Sequence, residues 1–234
     1  MRINRYLASA GIASRRKSEE YITSGRVMVN GKVETNLAFD VADNDEVKVD
    51  GNIVSLNDFY YIMLHKPKGY ITTMKDEKGR KTVMDLIPEE YAGVKPIGRL
   101  DYETEGLLIL SNDGDLAQKL TSPINEIEKT YMVKVEGKLQ ESQLAVMRAG
   151  VVIDGVRLKK CKIKRLSEDD KFTKLEVKIT EGKNRQIRKM FDAVGVNVVF
   201  LKRTAIQDLK LGSLDRGKIR ELRPAEIMYL QQLI

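Results

Sequence analysis

Apolar and polar positions along this chain repeat with two periods, and the switches between them mark its elements. Ile3, Tyr6, Leu7 and Ala10 recur at helical spacing, and Gly11 is placed to end that helix. Ser14 is suited to N-cap a second helix through about Ser24, with Gly25 to stop it. The period then shortens: Val27 and Val29 alternate with Arg26, Met28 and Asn30, and Asn30-Gly31 signals a tight turn. A further strand is predicted over Glu46 to Val49, with Asp50-Gly51 as the next turn. The polar run Ser55-Leu56-Asn57-Asp58 is the best linker, which divides the chain into segments 1–57 and 58–234.

Beyond the linker the two periods are interspersed. Strands are predicted at Tyr60 to Leu64, Leu107 to Leu110, Tyr131 to Val135, Leu175 to Ile179 and Val196 to Leu201. Helices are predicted at about Asp115 to Leu120, Gln140 to Ala149, and Arg185 to Val194 closed by Gly195. Loops fall at Lys66-Pro67-Lys68-Gly69 and, before the second strand, at Tyr102 to Gly106. Hairpin-like spacing among these elements favours α+β over a regular βαβ repeat.

Composition narrows the class. With 42% hydrophobic and 32% charged residues, 234 residues suffice for a core and a well-solvated surface. The longest strongly apolar run, around Val198 to Leu201, is far shorter than the roughly 18 residues a membrane span needs. Met1 to Arg5 lacks a signal-peptide core, so a cytoplasmic protein is expected. One cysteine, Cys161, permits no internal disulfide, and one histidine, His65, leaves little for a metal site. A net charge of +7 points to polyanions as partners. Residues 1–33 carry seven Arg and Lys against two acids, whereas residues 34–58 carry one against seven, the pattern of an oriented binding face.

Residues 1 to about 50, with ASRRKSEEYITSGRVMVNGK at their centre, resemble the S4 domain, a small RNA-binding module. The resemblance implies that Arg5, Arg15, Arg16, Lys17 and Lys32 face RNA. Otherwise Arg15-Arg16-Lys17 is a solvated helix start, although positive charge there opposes the helix dipole. Four further stretches, in order, resemble pseudouridine synthases that act on ribosomal RNA and carry an N-terminal S4 domain: LHKPKGYITT (64–73), GRLDYETEGLLILSNDGDLAQKLTSP (98–123), EKTYMVKVEG (128–137) and EGKNRQIRKMFDAVG (181–195). The implied architecture is an S4 domain followed by a mixed α/β catalytic domain with a central, largely antiparallel sheet.

The implied reaction detaches uracil from its ribose, turns it and rejoins it through carbon, with no cofactor and no metal. Asp101 would be the catalytic carboxylate. Judged by its neighbours alone, it reads better as a turn or capping aspartate; the ordered motifs reverse that preference. Burial favours the protonated acid, and by resemblance Arg188 keeps Asp101 ionised through paired hydrogen bonds. Alternatively Arg185, Arg188 and Lys189 form a phosphate-binding helix face. Tyr131 would stack on the base, where an ordinary strand tyrosine would pack in the core. Because a paired or stacked uridine must leave its stack, Arg99 would brace the vacated space; otherwise it contacts phosphate or pairs with Glu103 or Glu105. Lys129 and Arg185 are assigned to substrate binding on the same basis.

His65 is read as structural. Cys161, on an expected strand between two lysines that could lower its pKa, is read as inert. The expected partner is ribosomal RNA, 23S ahead of 16S, or a ribosomal subunit assembly intermediate, met by a monomer. The rival from another class is a non-catalytic S4-type RNA-binding or ribosome-assembly factor, which would not need Asp101, Tyr131 and Arg188 together.

Overall fold

A computed structural model describes residues 1–233. The chain divides into two compact units, Met1–Tyr60 with Asn112–Gly114, and Tyr61–Ser111 with Asp115 onward. The first unit holds helices α1 (Ile3–Ser9) and α2 (Arg15–Thr23), then strands β1 (Val27–Val29), β2 (Lys32–Val33), β3 (Val47–Val49) and β4 (Asn52–Val54). As the sequence predicts, the Ser14 side chain accepts from the Lys17 N–H at the start of α2. The strands form an antiparallel sheet in the order β2-β1-β3-β4. At both Asn30-Gly31 and Asp50-Gly51 the two residues have positive φ, the backbone that a two-residue hairpin turn demands. Ile3, Leu7, Ile22, Val27, Val47 and Val49 close a core of their own.

In the second unit the elements are β5 (Tyr61–Lys66), β6 (Lys95–Ile97), β7 (Glu105–Ser111), α3 (Gly114–Thr121), β8 (Lys129–Glu136), α4 (Glu141–Ala149), β9 (Val152–Ile153), β10 (Val156–Arg157), β11 (Lys162–Glu168), β12 (Phe172–Ile179), α5 (Gln186–Asp192), β13 (Val198–Ile206), β14 (Leu209–Lys210), β15 (Ile219–Glu221) and α6 (Pro224–Gln232). The main sheet runs β11-β12-β8-β13-β7-β5-β15, with β14 on β13 and β6 on β7. Every pairing in it is antiparallel except β13 with β7. The α+β class and the largely antiparallel sheet are therefore as expected.

That one parallel pairing depends on Gly106. Its φ is +115°, and a Cβ there would lie 2.2 Å from the Arg203 carbonyl oxygen and 2.6 Å from the Arg203 nitrogen. Only a residue without a side chain lets the two backbones approach this closely.

Several boundaries differ from the sequence pattern. Glu105 and Gly106, read as loop, already belong to β7, and Lys66, read as loop, ends β5 and is fully buried. Arg185 is not helical: it caps α5 with φ +50°. Cys161 precedes β11 instead of lying in it. The strand predicted to end at Leu201 continues to Ile206, past the register in which Arg203 pairs with Tyr131. No described helix is long and apolar enough to cross a membrane.

Candidate active site

Asp101 lies in the loop between β6 and β7, and that loop is held from two sides. From the β5 end, the Lys66 ammonium donates to the carbonyls of Pro67 (3.0 Å), Asp101 (3.0 Å) and Thr104 (2.8 Å). Burial brings the Lys66 pKa down to about 8, with Asp101 and Glu103 opposing the shift, so the side chain remains protonated at neutral pH. Thr72 adds a hydroxyl that donates to the Leu100 carbonyl (2.7 Å) and accepts from the Leu100 N–H (3.2 Å). Gly69 N–H donates to the Tyr102 carbonyl (3.0 Å). The stretch 66–72 is thus a backbone cradle for the Asp101 loop.

From the other side comes Arg188, on α5. The expected paired bonds to Asp101 are not formed: the guanidinium donates to the carbonyls of Val198 (3.0 Å) and Glu103 (3.2 Å). The carbonyls opening β13 and turning the Asp101 loop take both Nη groups, leaving Nε buried without a partner among the described residues. Burial, then the charge of Arg185, lowers the Arg188 pKa from its usual value, while Asp101 opposes that fall. Arg188 therefore meets the Asp101 loop through its backbone, at the Glu103 carbonyl.

Register places Tyr131. On β8 it pairs with Val177 of β12 on one side and Arg203 of β13 on the other, so the three share one face. The residue is 9% exposed, and its hydroxyl makes no hydrogen bond among the described residues. Asp101, Tyr131, Arg99 and Arg185 line a single cavity of about 240 Å³ with Leu100 and Leu201. The volume is below the ~300–1,000 Å³ common for small-molecule pockets and matches one flat base better than an extended ligand. Its lining combines apolar Ile179 and Ile187 with the cations Arg99, Lys183 and Arg185.

The remaining predicted residues separate. Arg188 does not line this cavity, and Lys129 lines an adjoining one of about 460 Å³ that also includes Arg99 and Tyr131. Arg99 is exposed and makes no ion pair among the described residues; Glu105, one expected partner, is buried and bound to Arg216. The 181–186 loop is fixed by Gln186, whose amide donates to Glu181 (2.8 Å) and whose carbonyl accepts from the Lys183 N–H (3.0 Å). In the first unit Arg15, Arg16, Lys17 and Lys32 are exposed and Arg5 is half-buried; Lys17 is paired with Glu20.

His65 is 4% exposed with Nδ1 2.7 Å from the Leu214 carbonyl oxygen, and burial lowers its pKa. Burial pushes the Cys161 thiol up to about 11, which overrides the lowering expected from flanking lysines. Sequence reasoning missed Lys66, Thr72, Gln186 and Arg203. Only Lys66 left a signal, a lysine at the end of the apolar run from Ile62 to Leu64.

Comparison with known proteins shows the family of the chain. The RNA pseudouridylate synthase family matches residues 60–193, and the S4 domain matches residues 1–47. The ribosomal large subunit pseudouridine synthase B of Bacillus subtilis (strain 168) is 43% identical, covering 99% of this chain and 96% of that protein. The dual-specificity RNA pseudouridine synthase of Escherichia coli (strain K12) is 37% identical, covering 100% of this chain and 79% of its own. A crystal structure of a pseudouridylate synthase aligns over 100% of both chains with 28% identity and a TM-score of 0.70.

Proposed function

Because the chain belongs to the RNA pseudouridylate synthase family and carries an S4 domain, we propose that it isomerises a uridine of 23S ribosomal RNA, with Asp101 as the catalytic carboxylate. The observation that carries this reading is the shared cavity: a carboxylate and an aromatic ring from distant parts of the chain meet in a space sized for one base. The bond between uracil N1 and ribose C1′ breaks, a bond from uracil C5 to C1′ forms, and the proton leaving C5 is balanced by one gained at N1. Asp101 acts at the ribose as nucleophile or base, and Tyr131 supplies the face on which the detached ring turns.

Arg188 holds the loop that carries Asp101 through the Glu103 carbonyl and sets a positive charge near it. Arg99, at the rim and outside any ion pair among the described residues, braces the space left by the flipped uridine, and Arg185 contacts the substrate beside it. Residues 1–57 form the RNA-docking domain through Arg5, Arg15, Arg16, Lys17 and Lys32; residues 58–234 are the catalytic domain. The protein works as a cytoplasmic monomer on ribosomal RNA or an assembly intermediate. The 23S choice is supported by the large-subunit enzyme of Bacillus subtilis at 43% identity over nearly the full chain.

Incubation with unmodified ribosomal RNA followed by pseudouridine mapping tests this. Asp101→Asn is expected to lose on the order of 10³-fold or more in rate while RNA affinity is retained. Full activity in that variant would remove Asp101 from catalysis, and a product confined to 16S RNA would replace the proposed target.

A further inference from the structure

The larger cavity beside Tyr131 holds charge that nothing in the described chain answers. Arg203 is 4% exposed, its Nε donates to the Leu107 carbonyl (2.7 Å), and its Nη2 is sealed from solvent without a hydrogen-bond partner among the described residues. Lys129 lies one same-face step along β8 from Tyr131, opposite Ile179 and Ile206, and its ammonium makes no hydrogen bond or ion pair among the described residues. Both side chains line the cavity of about 460 Å³.

The charged lining consists of five cations, Arg99, Lys129, Lys159, Lys183 and Arg203, against one acid, Glu181. That acid is already engaged: it accepts from the Lys159 N–H and the Gln186 amide, and lies 3.7 Å from the Lys183 ammonium. Lys159 is itself paired with Glu126. Among the described residues this leaves exposed Arg99 and, deeper in, Lys129 and Arg203 as neighbours of like charge without an anionic partner. Desolvation first, then the Arg203 charge, lowers the Lys129 pKa to about 8. An unpartnered guanidinium nitrogen and an unpaired ammonium in one partly desolvated cavity are unfavourable until an anion enters.

We propose that Lys129 and Arg203 form an anion subsite that takes a backbone phosphate adjoining the uridine held in the Asp101 cavity. This rests on reading that cavity as the uridine site. The chemistry fits: Arg203 offers a fixed donor and Lys129 a point charge, a combination suited to phosphate oxygens. Tyr131 and Arg99 line both cavities, so a nucleotide with its base against Tyr131 has its phosphate within reach of the second. The subsite would fix the ribose relative to Asp101 by gripping the chain next to it, as phosphate contacts commonly do.

The test is a calorimetric titration of the full chain with uridine, uridine 5′-monophosphate, uridine 3′-monophosphate and inorganic phosphate. In the unaltered protein one of the two monophosphates is expected to bind at least ~10-fold tighter than uridine, which also identifies the phosphate concerned. Lys129→Met should shrink that advantage to about threefold or less, and Lys129→Arg should keep most of it. The proposal is overturned if uridine and both monophosphates bind alike or not at all. It is overturned equally if the advantage survives Lys129→Met, or if inorganic phosphate alone responds to that substitution. Pseudouridine formation, measured in parallel, separates this from the catalytic reading. Isomerase activity without phosphate discrimination sinks the subsite alone; discrimination without isomerase activity sinks the assigned reaction alone.

Discussion

At the residue scale, one ammonium serves three carbonyls, two of them on the loop that carries Asp101. Replacing Lys66 with Met would keep much of the volume and remove every donor. We expect a loss of about 1–3 kcal/mol in urea denaturation, the range for buried acceptors deprived of a partner. The larger effect should fall on turnover, with kcat reduced more than KM is raised, because the misplaced group is the Asp101 backbone. An equal rise in KM with unchanged kcat would mean that Lys66 serves binding instead. Arg188 is a related case. Its identity and its nearness to Asp101 were legible in the motif, but its bonds were not: two backbone carbonyls from β13 and the Asp101 loop take its donors first.

At the element scale, the sheet is antiparallel until β13 meets β7, and Gly106 is where the two backbones nearly touch. A methyl group there would strike the Arg203 backbone and would also be strained at φ +115°. Gly106→Ala should therefore destabilise by on the order of 3 kcal/mol, read as a lowered urea midpoint with an unchanged slope. Full stability in this variant would show that β13 can shift away at little cost. The hairpins were readable because Asn30-Gly31 and Asp50-Gly51 state the turn geometry locally. The two-residue strands β9, β10 and β14 and the helix α6 were not, since short strands lack a period and α6 buries only Leu230 fully.

At the scale of the whole molecule, a positive chain meets a polyanion, and the first unit carries exposed Arg15, Arg16 and Lys17 at the start of α2. Changing these three to Gln in the full chain should weaken RNA binding. It should also flatten the dependence of log Kd on log salt by about 0.7–0.9 for each phosphate no longer neutralised, or roughly two units in all. Filter binding at several salt concentrations reads this directly. An unchanged slope would mean that these side chains do not touch phosphate.

The sequence by itself determined the class of the fold, the order of its motifs, and which residues could carry chemistry, because periodicity, turn dipeptides and motif residues are local properties. It supplied Asp101 and Tyr131 as separate points thirty positions apart. Only the tertiary structure decided that they line one cavity, that Lys129 lines the next, and that Arg188 reaches the Asp101 loop through the Glu103 carbonyl. Those facts depend on strand register across β12, β8 and β13, and on which carbonyl wins each donor. Register and donor competition are settled between segments far apart in the chain, where no local pattern records them. Lys66 and Arg203 read as ordinary basic residues in the chain; folding buries both and makes one the anchor of a loop and the other a cation awaiting an anion.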